Sequence, residues 1–360
     1  MKFTVQANLF IKPLQLALAS AETRSTLPIL SHFLIQEAQG GLSITGCNLE
    51  TELRTFAPAY VESAGGMTLE AQKLVNLVKQ LGDADIAISE ANGRATLKAG
   101  KSRFTLSTYP AENFPSFPVG DIKATTKIPF AVLAGLIEST AHAMANGDVR
   151  HYLNGLYLEV VGGVMRVVAS DGHRLSIAKA DVESEDVPGF IVPRATILRV
   201  PKLPGGDIAL SLSSNTVKLD FGAFHYASKL IEGRYPDINR VMLKDADVGT
   251  RVTVDRVGLI DAVTRVKVLA EKDSGAVRLE YREGELHISL SNAVDENAND
   301  AIPAEIEGEL EGISFNPSYL LDALTHLHAE KVELALSQAY NQCRLTDDSS
   351  VVHVVMPMRV

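Results

Sequence analysis

An opening unit used three times is the strongest constraint on how this chain folds: a short strand run followed by apolar residues at helical spacing. The copies begin at Lys2-Phe3-Thr4-Val5, Lys127-Ile128-Pro129 and Arg251-Val252-Thr253-Val254. Behind them come Leu9, Leu14, Leu16 and Leu18, then Val132, Leu133, Leu136 and Ile137, then Val257, Leu259, Ile260 and Val263, each set with the period of an amphipathic helix. A second element recurs in the same register at 42–48, 165–171 and 286–292, strands that end in small and turn-forming residues. The third echo is a second helix, expected over 70–81, 194–203 and 317–328, with Pro193 and Asn316 as start signals for the latter two. Strand pairs are expected at 95–97 with 104–108, 217–221 with 224–229, and 332–336 with 351–356. The pattern is that of an α+β chain of three similar units, each two helices and an antiparallel sheet. Polar connectors at Gly120-Asp121 and Lys244-Asp245-Ala246-Asp247 set the expected domains at 1–122, 123–248 and 249–360.

Such a chain needs no membrane: the apolar stretch from Ile128 stops at Glu138, and no signal-peptide pattern precedes the first strand. A cytoplasmic protein is expected. Cys47 and Cys343 are far apart and lack metal-ligand spacing, so no disulfide, metal or cofactor is expected. The net charge of −10 argues against nucleic acid unless the cations gather on one face. Some gathering is visible. The expected second helices carry Lys73 and Lys79, and Arg194, Arg199 and Lys202, whereas acids crowd loops and strands such as 183–186, 305–311 and 347–348. The third copy offers only His326 and His328. A DNA-facing surface and ordinary solvated helix faces both fit that distribution.

One segment invites a catalytic reading, Ser170-Asp171-Gly172-His173-Arg174-Leu175, which brings an acid, a histidine and a hydroxyl together. Gly-x-Ser-x-Gly is absent, as are Walker-type and Gly-x-Gly-x-x-Gly motifs. Asp171 serves equally as a turn residue bonding its own backbone, with Gly172 at a positive φ. A hydrolase centred on Asp171 and His173, and a scaffold with no DNA, stand as alternatives at this level.

With this segment the chain reaches motifs that resemble a known family. Asp171-Gly172-His173-Arg174-Leu175 joins Thr26-Leu27-Pro28-Ile29-Leu30, Asp148-Val149-Arg150-His151-Tyr152-Leu153-Asn154-Gly155, Ile191-Val192-Pro193-Arg194, Gly233-Arg234-Tyr235-Pro236-Asp237 and the tail Val355-Met356-Pro357-Met358-Arg359-Val360. Together, and over the whole chain, they are similar to the bacterial sliding clamp, the beta subunit of DNA polymerase III. The resemblance implies the DNA clamp fold: three-domain crescents that dimerise head-to-tail into a ring, helices lining the hole. It implies a non-catalytic processivity factor that holds duplex DNA by topology, without sequence preference. Implied partners are the polymerase catalytic subunit, the clamp loader, and other polymerases and repair proteins docking through short linear motifs.

Carried over by motif, the resemblance implies a partner-peptide pocket of Leu153, Ser170, Gly172, His173, Arg174, Leu175, Pro236, Arg240, Val241, Asn316, Tyr319, Val354, Met356, Pro357, Met358 and Arg359. An apolar cavity with adaptable methionines suits Leu or Phe anchors. For DNA it implies Arg24, His151, Tyr152, Arg194 and Lys202, with Lys73 placed between DNA and the subunit interface. Ring closure is expected from Phe104 and Leu106 against Val268 and Leu269. Three positions depart from the family pattern: His151 replaces an aromatic Tyr, Ser170 replaces Thr, and the chain ends in Val360. With Gly147, His326 and His328 thinning the positive lining, a shallow salt dependence of DNA binding is expected.

Overall fold

The computed structural model describes residues 1–22, 26–117, 120–270 and 275–358. Among the described residues six α-helices follow the repeat: α1 Ala7–Ala17, α2 Ala71–Gln80, α3 Phe130–Thr140, α4 Arg194–Ile197, α5 Arg256–Lys267 and α6 Pro317–Thr325. The odd-numbered of these are the opening helices, each entered from a strand, Lys2–Gln6, Ala124–Pro129 or Val248–Asp255. Caps fix several starts. Glu70 accepts from the amides of Gln72 and Lys73, Asp255 from Gly258, and Asn316 from Ser318 and Tyr319, which satisfies donors that helix geometry leaves over.

The buried face of α1 is not the leucine row read from the sequence. Ala7, Phe10, Leu14 and Ala17 point inward and Leu9 is exposed, because a face at i, i+3, i+7 and i+10 places small alanines at the closest approaches. The second helix of the middle repeat also differs from the expected span 194–203. It is one α-turn, Arg194–Ile197, then a separate 3-10 turn, Val200–Lys202. Pro201 has no amide to continue the ladder and its ring disfavours helix before it, so Lys202 lies off the helix that was to carry it.

The chain forms two compact units. Unit 1, Met1–Ala131 with Lys202–Leu230, contains two antiparallel sheets. Its five-stranded sheet runs Tyr60–Ser63, Lys2–Gln6, Asp85–Ala91, Arg94–Ala99, Ser102–Ser107. Its eight-stranded sheet runs Ala124–Pro129, Asp207–Leu212, Thr216–Asp220, Phe224–Lys229, Thr51–Pro58, Gly41–Cys47, His32–Ala38, Gly66–Glu70. Unit 2, Val132–Pro201 with Ile231–Val360, is built on twelve strands. These run Val187–Pro193, Gly155–Val161, Val164–Ser170, Arg174–Asp181, Val351–Val355, Cys343–Thr346, Lys331–Ser337, Val248–Asp255, Asn297–Glu307, Glu285–Ser291, Val277–Arg282, Ile313–Phe315.

The hairpins at Gly100-Lys101 and at residues 221–223 form as expected. The third expected pair does not. Lys331–Ser337 and Val351–Val355 are separated by Cys343–Thr346, which bonds to both. That strand is four residues between polar turns, too short to carry its own period. Two pairings join different repeats: Phe224–Lys229 lies on Thr51–Pro58, and Val351–Val355 on Arg174–Asp181. Each covers an edge that would otherwise expose unpaired backbone groups. Among the described residues no helix is long and apolar enough to cross a membrane.

Candidate partner pocket

The pocket residues of the sequence converge in unit 2 where the second and third repeats share a sheet. Leu153, Leu175 and Val354 are almost fully buried and belong to one apolar cluster with Val168, Ile177, Ile191, Tyr235 and Ile238, with Val241 packed at its margin. They form a floor rather than an open wall. Above it the exposed or half-exposed groups are Gly172, His173, Pro236, Met356, Pro357 and Met358. Such a rim, apolar and partly flexible over a close-packed base, suits an inserted hydrophobic anchor.

The Asp171-Gly172 turn is held by its own side chains. Asp171 Oδ1 accepts from the amides of His173 and Arg174, at 2.9 and 3.0 Å, and its Oδ2 accepts from Arg174 Nε at 3.0 Å. Ser170 Oγ donates to the Arg174 carbonyl at 2.8 Å and accepts from the Gly172 amide at 3.1 Å. With both Asp171 oxygens committed to backbone and guanidinium, and Ser170 bonded across the turn, neither addresses the His173 ring. That ring lies beside Tyr319, 6.5 Å between centroids. The serine-histidine-aspartate reading fails on this geometry.

Arg174 is the centre of the polar rim. Its guanidinium sits 4.4 Å above the Tyr319 ring centroid, donates to the His142 carbonyl at 2.7 Å and pairs with Asp322 on α6 at 2.5 Å. A planar donor fork with an aromatic stack fixes the base of the turn in a way lysine would not. Asn316, expected as a pocket residue, uses its side-chain oxygen to cap α6, thereby placing Tyr319 one turn on. The C-terminal tail leaves its strand by two backbone bonds, Met356 amide to His173 carbonyl and Met358 amide to Ser314 carbonyl. Arg240 is largely solvated beside Asp237. Arg359 lies outside the described residues.

Arg150 and Asp148 were missed as site residues, although both stand in a motif already singled out. Arg150 pairs with Asp148 through two bonds, 3.0 and 2.8 Å, and donates to the Asp171 carbonyl at 3.1 Å. The guanidinium holds the Asp148 carboxyl down at about 2. Gly172 has φ +90°, and a Cβ there would stand 2.8 Å from the Arg150 guanidinium. Gly172→Ala therefore combines backbone strain with displacement of Arg150, a cost of about 1–2 kcal/mol confined to the turn. Amide exchange at His173 and Arg174 should quicken about ten-fold while the sheet stays protected; unchanged protection would mean that the turn tolerates a side chain.

The residues expected at DNA are dispersed in sequence and mostly exposed. Lys73 is exposed on α2, His151 is exposed and Tyr152 half-buried in the 3-10 turn His151–Leu153, and Lys202 is exposed. Arg194 opens α4 and donates to the Met144 carbonyl at 3.1 Å. Arg24 lies outside the described residues. On the expected closure edges, Phe104 and Leu106 share one face of Ser102–Ser107 and are half-buried, while Val268, past the end of α5, is 80% exposed and Leu269 is half-buried.

Residues 1–118, 127–237 and 244–359 match, in order, the family models described as the N-terminal, central and C-terminal domains of the DNA polymerase III beta subunit. A beta sliding clamp of Pseudomonas putida is 40% identical over 374 residues, and one of Escherichia coli 36% over 368, each alignment covering 100% of both chains. Among solved structures, the DNA polymerase III subunit beta from Pseudomonas aeruginosa superposes with a TM-score of 0.94 at 37% identity. The DNA polymerase sliding clamp from Caulobacter crescentus gives 0.94 at 32%. Both comparisons cover 100% of each chain.

Proposed function

Because the chain belongs to the DNA polymerase III beta subunit family, and so is a non-catalytic sliding clamp for the replicative polymerase, we propose that two copies close head-to-tail into a ring around duplex DNA. Each copy contributes three domains with boundaries near residues 122 and 248, and works in the cytoplasm. Partners dock through short peptides in the pocket floored by Leu153, Leu175 and Val354 and rimmed by His173, Arg174, Pro236, Tyr319, Met356 and Met358. The polymerase subunit, the clamp loader and repair proteins compete for it. Lys73, His151, Tyr152, Arg194 and Lys202 keep the phosphates centred, and weakly, because a ring that slides must not grip. Tethering then raises the polymerase's effective concentration at the primer end.

One observation carries the ring. Twice in the chain the last strand of one repeat pairs with the fourth strand of the preceding one, and the two edges that this rule would join next are open. Ser102–Ser107 bonds only to Arg94–Ala99, and the first half of Asn297–Glu307 bonds only to Glu285–Ser291, among the described residues. A second copy supplies each with its partner, a heterologous contact that closes.

Loading onto a nicked circular plasmid by the cognate loader, followed by cutting of the circle, tests the topology. The clamp should stay on circles and leave linear DNA within seconds to minutes; equal retention on both forms would replace encirclement by ordinary binding. In a separate assay, Pro236→Ala with Met356→Ala should weaken binding of a fluorescent peptide ending in Leu-Phe by about ten-fold or more with the dimer intact. Unchanged affinity would move the pocket elsewhere.

A further inference from the structure

Unit 1 contains a cavity of about 490 Å³ beneath residues 111–117, the connector that follows the first repeat. Strand register relates it to the partner pocket of unit 2. Glu52 opposes Cys47 where its strand pair begins, as Leu175 opposes Ser170 in the next repeat. Ala227 opposes Glu52 as Val354 opposes Leu175. Phe114 and Phe117 cover Cys47 and Ala227 from the connector, as Tyr235 and Ile238 cover Leu175 and Val354. The same device therefore occurs twice, with its floor rewritten in unit 1. Alanine for valine opens space, and glutamate for leucine puts a carboxylate into it.

Among the described residues that carboxylate is short of partners. The Glu52 side chain is 15% exposed, and among the described residues its ion pair is a single 3.5 Å approach from Arg54, whose own side chain is 54% exposed. Burial pushes the Glu52 carboxyl up against the pull of Arg54 and Lys218. Lys218 opposes Ala227 on its other side, two strands from Glu52, so its backbone stands roughly 10 Å away across the sheet. Arg54 and Lys218 stand at the mouth of the cavity on flexible stems, Arg54 exposed and Lys218 half-buried, whereas the better-buried Glu52 carboxylate is less screened. The complementary group is a cation on an apolar stem, the stem between the phenylalanine rings over Ala227 and the head on Glu52.

We propose that this cavity is a second docking site of the clamp, and that it receives the arginine or lysine side chain of a partner protein, distinct from the apolar anchors of the unit 2 pocket. Where a leucine lies in the pocket floor the site selects a hydrocarbon; where a glutamate replaces it the site selects a cation. A partner engaging both would be held at two points on one protomer, which multiplies affinity without strengthening either contact.

The probes are two capped dipeptides, acetyl-Phe-Arg-amide and its neutral isostere acetyl-Phe-citrulline-amide, titrated into full-length dimer labelled at alanine methyls. Ala111 and Ala227 line the cavity and report on it, and Ala145 belongs to the unit 2 cluster. Saturable shifts of Ala111 and Ala227 are expected with the arginine probe, about ten-fold weaker with citrulline. The preference should vanish in Glu52→Gln, an isosteric change whose remaining methyl spectrum verifies the fold. An excess of Leu-Phe peptide should leave these shifts in place. Equal affinity for both probes, shifts centred on Ala145, displacement by the Leu-Phe peptide, or no saturation at millimolar probe would each overturn the proposal.

Discussion

Replacing Val268 and Leu269 together by alanine should turn the dimer into folded monomers in light scattering and abolish retention on circular DNA. Phe3, Ile88 and Leu97 form a fully buried cross-strand row, and Phe104 continues that row onto the edge strand, where it is only half covered. A core row that runs off an open edge is completed by apolar groups from another chain. Trimming one valine and one leucine removes about 3 kcal/mol of burial per interface, and a ring has two interfaces. The sum of about 6 kcal/mol raises the dissociation constant by some four decades. Phe104→Arg should do the same from the opposite edge. Mixing the two variants separates head-to-tail from face-to-face pairing, because a head-to-tail pair then keeps one intact contact and forms an open dimer. No recovery on mixing would contradict ring closure by these edges, and a parent that is monomeric well above micromolar concentration would contradict it outright.

The parts of this molecule legible in the sequence are those whose cause is local. The opening strands and α1, α3 and α5 announce themselves by apolar spacing, and the turn at Asp171-Gly172 by its residue types. Where a local signal was overridden, the reading slipped. Pro201 divides a helix that composition favoured, and Leu9 is left outside because Phe10 and Ala17 pack better against the sheet. The pairings of Phe224–Lys229 with Thr51–Pro58 and of Val351–Val355 with Arg174–Asp181 are non-local and carry no periodic mark in either partner. Arg150 illustrates the same limit at the site: its role depends on reaching Asp171, 21 residues later. The pocket's residues were named from motifs, but its division into buried floor and exposed rim needed the fold.

Acid should loosen unit 2 well before carboxylate chemistry would do so. His142, His326 and His353 form one cluster, with ring centroids 4.2 Å apart for His142 and His326 and 5.1 Å for His142 and His353. Ser176 Oγ joins His142 Nε2 and His353 Nδ1, at 3.1 and 2.8 Å, and His326 Nδ1 lies 2.7 Å from the Asp322 carbonyl. Burial first, then the neighbouring rings and Arg174, hold His142 down at about 2; burial, His326 and Arg174 hold His353 at about 3 against the pull of Asp347. Both folded-state values lie far below the ordinary 6.5, so the unfolded chain binds protons first as pH falls. Their stabilising contribution is whole above about pH 6.5 and drains away below it, on the order of 2 kcal/mol per ring by pH 5, or about 4 together. The cluster ties Arg174–Asp181 to Val351–Val355 directly beneath the pocket's Arg174, so the loss should appear as faster amide exchange in those two strands between pH 7 and 5, after correction for intrinsic rates. His353→Asn, which keeps a hydrogen-bonding group for Ser176 without a titrating one, should halve the slope. A parent whose protection is flat over that range, or a variant as acid-sensitive as the parent, would show that these rings stay neutral for reasons unconnected with folding.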